Sequence, residues 1–179
     1  MTALVTLKDK QFKPYLDEQE ILREIKKMAY QINEELKNEN PFFLIILNGS
    51  FMFAASLLKE IQFPCEISFV KLASYEGTKS TGNVNELIGL SEDITGRNIV
   101  ILEDIVDTGE TLLKIHHLLT NKKVNSIKVA SLLFKPDSYK KNIPVDYTCF
   151  KIPNDFVVGY GLDYDGFGRN LKDIYVLNT

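Results

Sequence analysis

The 179-residue chain contains no tryptophan, two cysteines and two histidines. Cys65 and Cys149 form no CxxC pair and have no histidine nearby. Isolated cysteines in apolar surroundings read as buried thiols of a cytosolic protein, not as a disulfide or a nucleophile. His116 and His117 are neighbours on one expected helix, so they face different ways and read as structural. Long hydrophobic runs are missing too: the longest, Pro41 to Leu47, is far too short to span a bilayer. The start, MTALVTLKDK, has no basic stretch leading into an apolar one, so no signal peptide is expected. Charge of one sign is not in excess. Lys plus Arg number 21 against 24 Asp plus Glu, and a net charge of -3 gives no general reason to expect nucleic acid or an anionic membrane as partner. The expectation is a soluble cytoplasmic protein. A composition of 45% hydrophobic and 25% charged residues suits one globular domain with a sizeable core.

Hydrophobic periodicity lays out the elements. Residues 17 to 38 predict a long amphipathic helix: Asp17 can cap it, Glu20 completes a capping box, and Ile21, Ile25, Met28, Ile32 and Leu36 recur at helical spacing. Phe42 to Leu47 reads as a strand buried on both faces, ended by Asn48-Gly49-Ser50, with a helix from Phe51 to Ile61. Glu66 to Leu72 is a second strand, and Leu87 to Leu90 a short return strand. Between them lies ASYEGTKSTGNVN (73–85), polar and rich in Gly, Ser and Thr, as functional lids commonly are. Asn98 to Leu102 is a third buried strand, followed by a helix from about Thr108 to Thr120; Ser126 to Phe134 is a fourth. The remainder, punctuated by Pro136, Pro144 and Pro153, reads as irregular, with late strands at Val157-Val158 and Ile174 to Leu177. Strands alternating with helices predict an α/β fold with a mostly parallel central sheet flanked by helices. In such sheets ligands bind at the carboxyl ends of the strands, here Asn48-Gly49, Glu103 to Thr111 and Lys135.

The stretch IVILEDIVDTGETLLKI (99–115) carries the chemistry. The chain has no GxxxxGK[ST], and no GxGxxG opens a helix after the first strand. A helix starting near Thr108 would still point free N–H groups and its positive dipole end at a phosphate. Gly109 permits close approach, and Thr108 and Thr111 add hydroxyls. Glu103 and Asp104 at the strand end would lie beside the phosphate, where carboxylates suit sugar hydroxyls or Mg²⁺.

ILEDIVDTGET resembles the phosphoribosyl pyrophosphate (PRPP) signature of the type I phosphoribosyltransferases. LNGSFMFAASLL (47–58), KLASYEGTKSTG (71–82), LLFKPD (132–137) and IPNDFVVGYGLDYDGFGRNL (152–171) are similar to further motifs of the hypoxanthine-guanine branch. The resemblance implies that family's fold: one domain over 1–179, with a core of about 38–150 and a small hood from about 1–16 and 151–179. It implies transfer of the 5-phosphoribosyl group from PRPP to hypoxanthine, and to guanine, giving IMP or GMP and pyrophosphate.

Residue roles follow from the same resemblance. Asp107 is the expected general base near N7 of the purine, within a PRPP site of Glu103, Asp104, Asp107, Thr108, Gly109, Glu110 and Thr111. Of these, Glu110 is expected to act through its backbone. Glu103 and Asp104 would hold the ribose hydroxyls and, through them or water, Mg²⁺; Asp163 would hold a second Mg²⁺. Asn48 and Gly49, with their peptide bond cis, and Arg169 would bind pyrophosphate. Lys135 would donate to O6 of the base, Phe156 would stack on it and Val157 would offer backbone groups to its edge. Ser74 and Tyr75 would sit on a closing lid. Asn48 stands where many relatives carry Lys, and Asp155 where some carry a basic residue. The assembly implied is a homodimer or homotetramer. A PRPP- or nucleotide-binding regulatory protein on the same fold is the alternative, and a receiver-type signalling domain a third reading. The joint presence of Asp107, Lys135 and Phe156 argues for the enzyme.

Overall fold

Alternation along the buried strands sets the layers. The computed structural model describes residues 4–72, 86–88 and 90–178. Strand β3 (Phe42–Ile46) is buried at all five positions. Its Phe43 and Ile45 face helices α1 (Glu18–Leu36) and α2 (Phe51–Leu58), while Phe42, Leu44 and Ile46 face α3 (Glu110–Asn121). Successive side chains of a strand point to opposite faces, so a run of pure hydrophobics must be covered twice. The two apolar clusters on either side of the sheet are that covering.

Six strands form the main sheet, in the order β5 (Glu86–Ile88), β4 (Glu66–Leu72), β3, β6 (Asn98–Val106), β7 (Ser126–Phe134), β8 (Tyr147–Lys151). All neighbours are parallel except β4 and β5. A second, four-stranded sheet joins the two ends of the chain: β1 (Val5–Leu7), β2 (Lys10–Leu16), β10 (Ile174–Leu177) and β9 (Val157–Val158), as a hood of N- and C-terminal segments. Phe12 of β2 is fully buried, with ring centroids 6.3 Å from Phe156 and 6.1 Å from Tyr164.

Helix α1 follows its periodicity: Ile21, Ile25, Met28, Ile32 and Leu36 are buried, and the Asp17 carboxylate accepts from the Glu20 N–H at 2.8 Å. Three features differ from the expected layout. Strand β6 runs on to Val106, so Glu103 and Asp104 belong to the strand, with Glu103 paired opposite Ser131. The β1–β2 hairpin lies in residues for which no element was expected; its Pro14 sits opposite Tyr175, beside a register shift in β10. Strand β8 lies in the segment read as irregular, an edge strand paired only to β7. The cysteines are also corrected. Both are free but only partly buried, and desolvation pushes the Cys149 thiol up to about 12. Among the described residues no helix is long and apolar enough to cross a membrane.

The hood rests on Phe12. Phe12→Ala is expected to lower the unfolding free energy by about 3–5 kcal/mol, the usual cost of emptying a buried phenylalanine site. Denaturant titration measures this; a loss below about 1 kcal/mol would mean that the hood does not unfold with the core.

Candidate active site

The carboxyl ends of β3 and β6 meet where glycine lets backbone touch side chain. A Cβ on Gly49 would lie 1.6 Å from Oδ2 of Asp104. Gly161, with φ +102°, presses on the Gly49 carbonyl from above: its Cβ would lie 1.9 Å from that oxygen. A side chain at Gly49 would have to displace the Asp104 carboxylate, and at Gly161 the neighbour is backbone and the positive φ adds strain, so no other residue fits there. Arg169 closes the stack, donating to the Gly161 carbonyl at 2.8 Å and pairing with Asp163 at 2.7 Å. The other Asp163 oxygen accepts from the Gly166 N–H at 2.7 Å. A cavity of about 320 Å³ opens here, lined by Asn48, Gly49, Asp104, Lys114, Asp163 and Arg169 among others.

Glu103 and Asp104 carry the electrostatic stress. Glu103 is 8% exposed, and its Oε2 has no hydrogen-bond partner among the described residues. Desolvation, with the charge of Asp104 beside it, holds its carboxyl well above the usual range. Desolvation also raises Asp104, to about 6, although the Ile105 N–H and Arg169 counteract it. A buried carboxylate oxygen without a donor calls for a cation or a hydroxyl. Among the described residues no group of three or more His, Cys, Asp or Glu forms a ready metal cage. That donor set suits a hard cation that keeps water or substrate oxygens as its other ligands.

The next turn, Asp107 to Thr111, lines a second cavity of about 300 Å³ that shares Glu103 and Asp104 with the first. Gly109 is the N-cap of α3, in the left-handed region at φ 82°. Its missing side chain leaves room for Tyr139, whose ring edge would lie 2.4 Å from a Cβ there. Lys135, only 7% exposed, donates to Asp107 at 2.8 Å. Phe156 is exposed, edge-on to Tyr164 at 6.0 Å between centroids. Its carbonyl accepts from Leu177 and Val158 pairs with Tyr175, so antiparallel alternation turns the Val157 backbone groups to the open edge of the hood sheet.

A family model described as a phosphoribosyl transferase domain matches residues 11–165. The hypoxanthine-guanine phosphoribosyltransferase of Streptococcus pyogenes serotype M3 is 42% identical over 161 residues, 89% of each chain. That of Streptococcus pneumoniae is 43% identical over 159 residues, 88% of each. The chain belongs to the phosphoribosyltransferase family. Among solved structures, a hypoxanthine phosphoribosyltransferase from Staphylococcus aureus superposes with a TM-score of 0.86 at 39% identity, covering 93% of this chain and 91% of that one. A mutant hypoxanthine phosphoribosyltransferase from Trypanosoma cruzi, solved as a ternary substrates complex, gives 0.85 at 38% identity over 92% and 94%.

For a phosphoribosyltransferase, the structure brings together most of the residues singled out in the sequence. Asn48, Gly49, Glu103, Asp104, Glu110, Thr111, Asp163 and Arg169 line one cavity. Thr108 and Gly109 complete the turn beside it. Lys135 and Asp107 are in contact, and Phe156 and Val157 stand together in the hood. Ser74 and Tyr75 lie outside the described residues. One detail is corrected: the cis peptide bond is Leu47–Asn48, not Asn48–Gly49. The sequence reading missed Lys114, Gly161, Tyr139 and Lys141. Lys114 follows Glu110 by one helical turn, which is a readable signal. Gly161, Tyr139 and Lys141 come from distant segments, and no local pattern announces them.

Asp104 yields a pH prediction. Its carboxyl is raised from 3.8 to about 6 in the folded protein, so the folded state holds the extra proton between those values. Stability of the free protein should therefore fall as pH rises through that window. Asp104→Asn is expected to stabilise the free protein above pH about 6 by on the order of 1 kcal/mol, with no gain below pH about 4. Thermal melts across pH check this; an Asn variant no more stable at pH 7 than the parent would contradict it.

Proposed function

We propose that the chain transfers the 5-phosphoribosyl group of PRPP to hypoxanthine and guanine, releasing pyrophosphate and forming IMP and GMP. The observation that carries this reading is the contact between Lys135 and Asp107 at 2.8 Å, with Asp107 on the same cavity as the buried Glu103 and the partly buried Asp104. On a 6-oxopurine, O6 and N7 lie on one edge, an acceptor beside a site that can give up a proton. A buried ammonium and a carboxylate in contact match that edge: Lys135 donates to O6 and Asp107 takes the proton at N7. A 6-amino group offers Lys135 no acceptor and would leave the buried ammonium facing a donor. Phe156 provides a stacking face, and the Val157 backbone reaches the base edge.

The ribose would lie over Glu103 and Asp104. Positive charge develops on the sugar as pyrophosphate leaves, and carboxylates placed in advance favour that state over the ground state. The 5-phosphate would take the N–H groups of Thr108 to Thr111 at the start of α3. Pyrophosphate would meet the Asn48-Gly49 backbone and Arg169. The cavity wall holds four carboxylates, Glu103, Asp104, Glu110 and Asp163, against two cations, Lys114 and Arg169. So acidic a wall cannot itself neutralise a pyrophosphate, which supports Mg²⁺ as cofactor, with Glu103 and Asp104 on one side and Asp163 on the other as its protein partners. Bound there, Mg²⁺ would supply charge neutralisation of the leaving group. Cytoplasmic location and a homodimer or homotetramer complete the reading.

The test is a spectrophotometric assay with PRPP, Mg²⁺ and each of hypoxanthine, guanine, xanthine and adenine. Turnover is expected with the first two, with adenine lower by at least about 10²-fold; no turnover with any base would sink the enzyme reading. Asp107→Asn should keep PRPP binding while lowering kcat by about 10²–10⁴-fold, the range of general base catalysis. A fully active Asn variant would remove Asp107 from that role. Lys135→Ala should raise KM for the base far more than KM for PRPP, and equal effects would contradict its contact with O6.

A further inference from the structure

Glu110 is the member of the acidic turn that the proposed chemistry does not use. It is the first residue of α3, where the free N–H groups would hold the 5-phosphate. A carboxylate at that place suits the helix dipole but competes with an incoming phosphate dianion. The structure gives it a partner from the segment between β7 and β8: the Lys141 ammonium pairs with the Glu110 carboxylate. The pair holds the Glu110 carboxyl below its ordinary range. The stem of Lys141 lies over the turn itself, since a Cβ on Gly109 would come within 2.9 Å of its Cγ.

That placement is built. Tyr139, two residues earlier, packs edge-on to Phe134 at 5.4 Å between centroids and donates its hydroxyl to the Ile143 carbonyl at 2.6 Å. The segment carrying Lys141 is thus pinned at both sides of the lysine. Glu110 is 62% exposed and Lys141 21%. An ion pair so open to solvent contributes little to folding. Its consequence is local: one negative charge at the mouth of a phosphate cradle is cancelled and turned aside.

We propose that Lys141 is a positioning residue for the 5-phosphate, neutralising the Glu110 carboxylate and holding it off the cradle of residues 108–111. The inference rests on the placement of the 5-phosphate at that turn. Its weight falls on the 5-phosphate end, where the Lys141 stem lies over Gly109; Glu110 also lines the cavity that holds Arg169, so the pyrophosphate end is affected less, not spared.

The experiment is a double-mutant cycle read by steady-state kinetics on the full chain, with thermal melts to check folding. Lys141→Met is expected to raise KM for PRPP by about 3–10-fold, the size of one unscreened charge near a surface phosphate, with kcat and KM for the base changed less than about two-fold. In a Glu110→Gln background the same lysine substitution should change KM for PRPP less than about two-fold. Lys141→Arg, which keeps the charge, should hold KM for PRPP within about two-fold of the parent. KM for pyrophosphate in the reverse reaction should rise less with Lys141→Met than KM for PRPP does; an equal or larger rise overturns the proposal. An unchanged KM for PRPP in Lys141→Met overturns the proposal, and so does an equal rise in both backgrounds. Thr111→Pro, which deletes a cradle N–H together with the hydroxyl in the first turn of α3, reports on the cradle. An unchanged KM for PRPP there would remove the phosphate from this turn and overturn the reading beneath. A raised KM without Lys141–Glu110 coupling overturns the Lys141 inference alone.

Discussion

Two adjacent carboxylates, the buried Glu103 and the partly buried Asp104, stand at the carboxyl end of the central parallel strand, and the rest of the site is arranged around that constraint. In the free protein the pair is unfavourable. Desolvation raises both carboxyls, and one oxygen of Glu103 has no donor among the described residues. The core carries the cost because β3, β6 and β7 are covered on both faces by apolar clusters. A rigid scaffold of this kind can hold polar groups in an unfavourable place until substrate arrives. The same stress that weakens the free protein is favourable once positive charge develops on the bound sugar.

Close backbone approach transmits that constraint outward. Asp104 touches Gly49, the Gly49 carbonyl touches Gly161, and Arg169 binds the Gly161 carbonyl and Asp163. Three segments far apart in the chain are thereby locked at fixed distances. Gly161 and Arg169 lie between β9 and β10, so the hood sheet places them over the loop after β3. The N-terminal hairpin joins this arrangement through Phe12, which is buried between Phe156 and Tyr164. Phe156 and the Asn48-Gly49 loop are in this way parts of one packed unit. Substitution at a glycine of the stack should move both.

Much of this was legible in the sequence, for identifiable reasons. Strands β3, β6 and β7 announce themselves because strands buried on two faces are continuously apolar. Helix α1 announces itself by its cap and period. The acidic turn was readable because strand, carboxylates, Gly109 and threonines follow one another without interruption. What stayed hidden was non-local. Strand β8 sits at a sheet edge with one neighbour and mixed burial, so it lacks both the apolar run and the clean alternation. The β1–β2 hairpin contains Pro14, which sits beside a register shift in β10. Tyr139, Lys141 and Gly161 owe their places to tertiary contacts with Gly109 and Gly49, which no window of sequence contains.

The positive charges complete the physical account of the acidic turn. The loop after β3 carries Asn48 and no cation at 47–50. On the proposed reading it would grip the leaving group only through backbone and amide. The remaining cations near that cavity are already engaged or peripheral: Arg169 is tied to Asp163 and Gly161, and Lys114 stands on α3. Neutralising a departing pyrophosphate here must then fall more heavily on a divalent cation than in a relative whose loop supplies its own ammonium. Glu103 and Asp104 would be the anchor for that cation on the proposed reading, because ionising these carboxylates is unfavourable until a positive charge arrives. Acidic residues beside a phosphate site thus cease to be a contradiction. On the proposed reading, the carboxylates would hold what neutralises the phosphates, and the backbone of the following helix would hold the phosphate itself.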